Sequence, residues 1–141
     1  MTFTNRLEQI MPGWGQPVTL DTSFLAANTA LSGTGQASTT LPSSGSWSPT
    51  ISKGRGRIKI YSGTGTSPTL TDILVTGSDG TNTVELFVFH PNTAVTLSST
   101  SLLDLLFNFM TDLNLTSITI KTTLGGTSPG ATMDAQISGT I

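Results

Sequence analysis

The clearest signal along this chain is an alternation of apolar and polar residues at every second position, the period of a half-buried β-strand. It predicts strands at Arg57–Tyr61, Leu70–Thr76 and Thr83–Phe89, with Gly77-Ser78-Asp79-Gly80-Thr81-Asn82 between the last two. Asp79-Gly80 is a hairpin-turn pair. In Thr83–Phe89, Val84, Leu86 and Val88 fall on one face and Phe87 and Phe89 on the other. That predicts a strand covered on both sides, hence two packed layers. Leu115–Thr123 and Thr132–Ile141 alternate as well, on either side of a predicted loop at Gly125–Gly130.

One segment follows the helical period better. Ser101-Leu102-Leu103-Asp104 resembles a capping box, and Leu102, Leu105, Leu106, Phe109 and Leu113 form one apolar face with Asp104, Asn108, Thr111 and Asp112 opposite. The spacing predicts a short helix. The rival strand, with Leu103, Leu105, Phe107 and Phe109 inward, leaves Leu102, Leu106 and Met110 facing water. Near the N-terminus, Phe3, Leu7, Ile10 and Met11 also recur at helical spacing until Pro12-Gly13-Trp14-Gly15. So short an amphipathic segment holds its helix only by docking on something. Weaker strand patterns lie around Val18–Leu20 and Phe24–Leu31. Residues 32–50 carry no charge and only Leu41 and Trp47 as large apolar groups, so they are expected to form a long loop with Trp47 anchoring it over the core. The predicted organisation is a docking arm over residues 1–16 and one mainly β, antiparallel domain over 17–141.

Composition sharpens this picture. At 141 residues the chain suits one core, which at this length needs no disulfide or metal staples. Only 10% of residues are charged, against roughly 25% in average soluble proteins. Thr, Ser and Gly replace them, a composition suited to exposed β-structure. Low charge gives little protection against association, which hints at a protein that assembles. The start of the chain lacks the basic and apolar regions of a signal peptide, so Sec-type secretion is not expected. No apolar run approaches the ~20 residues of a spanning helix, so no membrane partner is expected.

Candidate chemistry is thin. A serine hydrolase needs a base, and the single histidine, His90, sits between Phe89 and Pro91 at a predicted strand end, with no Gly-x-Ser-x-Gly in the chain. The eight acids are scattered, and with no cysteine and one histidine no metal motif is present. No catalytic residue, cofactor or metal is assigned, and the chain is expected not to be an enzyme. Lys53-Gly54-Arg55-Gly56-Arg57-Ile58-Lys59 holds four of the six Lys and Arg residues. In an extended segment Lys53, Arg55, Arg57 and Lys59 point the same way and form a basic stripe. A pI of about 5.0 and the shortage of stacking aromatics argue against nucleic acid. A stripe that docks on an acidic protein surface and a plain solvated strand remain the alternatives.

The cysteine-free chain, an arm ending in Met11-Pro12-Gly13-Trp14-Gly15, a Thr/Ser/Gly-rich β body and a chain end inside a predicted strand resemble the cement or decoration proteins of tailed bacteriophage heads. The run Tyr61-Ser62-Gly63-Thr64-Gly65-Thr66 through Phe89-His90-Pro91 shares their style. The resemblance implies a jelly-roll-like β-sandwich that binds the major capsid protein as a homotrimer on the outer surface of the virion, after synthesis in the host cytoplasm. Phe3, Leu7, Ile10 and Trp14 are the expected arm anchors. The alternative is a carbohydrate-binding β-sandwich module or a phage fibre receptor-binding domain, which stacks exposed aromatics on sugar faces. Trp14, Trp47 and Tyr61 are the available platforms.

Overall fold

The computed structural model describes residues 17–18, 26–47 and 50–140. Its strands are β1 (Pro17–Val18), β2 (Ala26–Ser32), β3 (Gly35–Leu41), β4 (Ile51–Ser78), β5 (Thr83–Phe89), β6 (Val95–Thr96), β7 (Leu102–Leu115) and β8 (Ser117–Thr140). All pairings are antiparallel.

The architecture follows from the length of β4 and β8. A straight strand of 28 residues would run roughly 90 Å, more than twice the span of a domain this size. The two strands instead pair along their length, from Lys53 opposite Thr140 to Ser78 opposite Ser117, and bend together in the middle. The register slips repeatedly between Tyr61 and Asp72, where Gly65 (φ 101°) and Gly126 (φ 106°) take backbone conformations that a Cβ disfavours. The predicted loop at Gly125–Gly130 is this corner of β8, a bulged bend within a continuous strand.

Each half of the bent pair is the centre of a sheet. The first half of β4 and the second half of β8 lie between β7 and β2, while the second half of β4 and the first half of β8 lie between β5 and β3. Counted in chain order with the halves separate and the two-residue β1 and β6 left out, the first sheet runs first, eighth, third, sixth, and the other second, seventh, fourth, fifth. This is the order of a jelly roll, an antiparallel β-sandwich. Ile58, Ile60, Met133 and Ile137 from one sheet and Ile73, Val75, Ile118 and Ile120 from the other join in a single buried cluster.

Three further sequence expectations change. The stretch predicted as a helix is β7, and the described residues contain no helix. A helix separates residues two apart onto nearly opposite sides, whereas Phe107 and Phe109 are both buried. Contacts distant in sequence fix the strand: Phe107 lies opposite Gly56 and Phe109 opposite Gly54, so each ring covers a position without a side chain. Residues 32–50 are not one loop, because Gly35–Leu41 forms β3 along β8, although Trp47 is buried as expected. Nor is β5 covered on both faces. A register shift between Val75 and Thr76 lets the consecutive Leu86 and Phe87 both join the core, leaving Val88 exposed. The expected turn is present, with Asp79 Oδ1 accepting from the backbone N–H of Thr81 (2.8 Å) and Asn82 (2.6 Å).

Candidate docking face

The outer face of the first sheet gathers the features the sequence singled out. Along β4, Gly54, Gly56, Ile58 and Ile60 are buried, so Lys53, Arg55, Arg57 and Lys59 all turn outward. Alternate residues of a strand lie ~7 Å apart, so the stripe spans ~20 Å. The register gives it flanks. Lys53 lies beside Met110, Arg55 between Asn108 and Ser138, Arg57 between Leu106 and Gln136, Lys59 between Asp104 and Asp134.

Arg57 is paired within the stripe. The Arg57 guanidinium donates to both oxygens of Asp104, Nη2 to Oδ2 at 2.6 Å and Nε to Oδ1 at 3.0 Å. These bonds hold the Asp104 carboxyl below its ordinary pKa. Tyr61 donates its hydroxyl to Asp134 Oδ1 at 3.2 Å, and burial first, then this bond, raises the phenol's pKa. Arg55, Gly56, Leu106, Phe107 and Asn108 line an open depression of about 490 Å³.

The face also carries an apolar row that the preferred helical reading concealed. Leu102, Leu106 and Met110 are 63%, 75% and 82% exposed, the residues the rival strand reading left facing water. Cationic and apolar side chains therefore stand side by side on one surface, a combination suited to contact with protein.

The remaining candidates lie elsewhere. The arm anchors Phe3, Leu7, Ile10 and Trp14 fall outside the described residues. Trp47 is 2% exposed and presents no stacking platform. His90 sits just beyond β5, exposed, with Nδ1 3.9 Å from Asp72 Oδ2, too long for a hydrogen bond. Among the described residues no three His, Asp or Glu side chains gather as metal ligands.

No family model matches the chain, and no curated protein matches it. Among solved structures it is similar to a mutant of CBM29-2, from family 29 of the carbohydrate binding modules, with 9% identity and a TM-score of 0.42 over 92% of this chain and 84% of that one.

Proposed function

We propose that this chain is a non-catalytic structural protein that binds the surface of a larger protein assembly, acting as a decoration protein on a phage head. The observation that carries the reading is the outer face of the first sheet, where Lys53 and Arg55 adjoin the exposed Leu106 and Met110 beside the depression at Gly56. Apolar surface supplies affinity, and the cations select an acidic partner and orient its approach. Four of the six basic residues stand in this one stripe on a chain with eight acids, which favours an acidic protein surface over a polyanion that needs broad positive charge. A sugar site of the stacking type draws no support from this face, whose one aromatic among the described residues, Tyr61, is half-buried with its hydroxyl bonded to Asp134.

The test is co-sedimentation of the purified chain with expanded tailed-phage heads stripped of their decoration protein. Binding is expected to saturate, and the combined substitutions Lys53→Glu and Arg55→Glu are expected to weaken it at least tenfold with the circular dichroism spectrum unchanged. Undiminished binding by the charge-reversed protein rejects this face. No binding by the unaltered chain, together with hits on a glycan array, replaces the reading with a sugar-binding one.

A further inference from the structure

β7 is an edge of the first sheet. Among the described residues it pairs with β4 alone, so no described strand covers its other side. Over its 14 residues it contains no Pro, Gly, Lys or Arg, and its only charges are Asp104 and Asp112. Natural edge strands are usually short, kinked or basic, because a long apolar edge is a template for another strand.

The order of residues along β7 names the strand that fits. Outward from Leu106, the neighbours match in kind on both sides: Leu105 and Phe107, Asp104 and Asn108, Leu103 and Phe109, Leu102 and Met110, Ser101 and Thr111. A sequence that reads alike in both directions is self-complementary under a twofold axis, which sets an antiparallel strand against its own copy. We propose that β7 pairs with β7 of a second copy of this chain about an axis at Leu106, joining the two first sheets into one continuous sheet.

The register follows from the side chains. With the axis at Leu106, the outer face sets Leu106 against Leu106, Leu102 against Met110, and Asp104 against Asn108. The inner face sets Leu105 against Phe107 and Leu103 against Phe109, and this covers Leu103 and Leu105, which are only half-buried in one copy. Moving the axis to Asp104 sets carboxylate against carboxylate. At Asn108 it sets Asp104 against Asp112, also destabilising for residues directly opposite. Between these, only the axis at Leu106 pairs apolar with apolar and the acid with an amide. An axis perpendicular to the joined sheet leaves both basic stripes on the same outer face. Their β4 strands are then three strand spacings apart, ~14 Å, which makes the docking face bivalent. The pairing stands on the edge and its sequence, independently of what the face binds.

The chain has no cysteine, so a single introduced thiol reads the register directly. Cα atoms directly opposite in an antiparallel pair are ~4.5–5.5 Å apart, within disulfide range. The protein is expected to sediment at twice 14.7 kDa. Under mild oxidation Leu106→Cys is expected to form a covalent dimer at least tenfold faster than Leu102→Cys or Met110→Cys alone. An equimolar mixture of those two is expected to crosslink as readily as Leu106→Cys. All three positions are exposed, so the fold tolerates the changes. A wild-type mass of one or three chains overturns the proposal, as does equal crosslinking at all three sites. A dimer that forms only after removal of residues 1–16 overturns it too, because the arm is then the occupant of the edge.

Discussion

Thr122 carries a hydroxyl into the core, where the residue is 1% exposed and its Oγ1 has no hydrogen-bond partner among the described residues. A buried hydroxyl without a partner loses its hydration and gains nothing in return. Thr122→Val keeps the shape and removes that cost. It is expected to stabilise the protein by about 1 kcal/mol, read as a higher urea midpoint with an unchanged slope. Gly56 is the opposite case, a residue whose lack of a side chain is used. A Cβ there would clash with the Phe107 ring, and that ring stacks on Phe87 at 4.7 Å between centroids. Gly56→Ala therefore displaces an aromatic contact that ties the two sheets together. A loss of about 1–3 kcal/mol is expected, with part of it recovered when Phe107→Leu is added, as a double-mutant cycle in urea will measure. A Gly56→Ala protein as stable as the original would mean that the rings do not rest on this strand.

At the scale of elements, the β4–β5 turn and the Arg57–Asp104 pair share one consequence. Backbone N–H groups of Asn82 and Thr81 hold Asp79 below its ordinary pKa, and the Arg57 guanidinium does the same for Asp104. A carboxyl depressed in the folded state contributes stability above its unfolded pKa, ~3.9, and that contribution is lost as pH falls through the lower folded value. The melting temperature is therefore expected to fall below about pH 4. Asp79→Asn, which cannot ionise, is expected to flatten that acid limb and leave the slope between pH 5 and 7 unaltered; an identical acid limb would show that the turn carboxylate contributes nothing. This turn was legible in the sequence, because Asp79-Gly80 encodes its own geometry, and so was the outward stripe of β4, because alternation is local. β7 was not. Its residues follow the helical period better than the strand period, and the strand is selected by Gly54 and Gly56, some fifty residues earlier in the chain, which receive Phe109 and Phe107. The corners of β4 and β8 were hidden for a related reason: glycine and proline mark a break without saying whether the chain ends a strand or bends one.

At the scale of the whole molecule, the jelly roll divides two tasks that the docking reading assigns to different parts of the chain. The buried apolar residues of the described core run from Leu31 to Ile137, and the outward stripe contributes none of them. If the arm serves docking alone, removing residues 1–15 leaves the cooperative urea transition of the β body in place. On phage heads the same truncation is expected to remove tight binding, because Phe3, Leu7, Ile10 and Trp14 are the proposed apolar anchors, while residual association remains through the stripe. That residual binding is electrostatic, so it should weaken steeply as ionic strength rises, whereas binding of the full chain should be much less sensitive to salt. Adding Lys53→Glu and Arg55→Glu to the truncated chain should abolish what is left. Two attachments on one body act at high effective concentration, so their combined affinity exceeds either alone by orders of magnitude. The measurement is a salt titration of co-sedimentation for the full, truncated and doubly altered chains. A truncated chain that binds as tightly as the full one, with the same salt dependence, would remove the arm from the mechanism and leave the sheet face as the whole of the binding site.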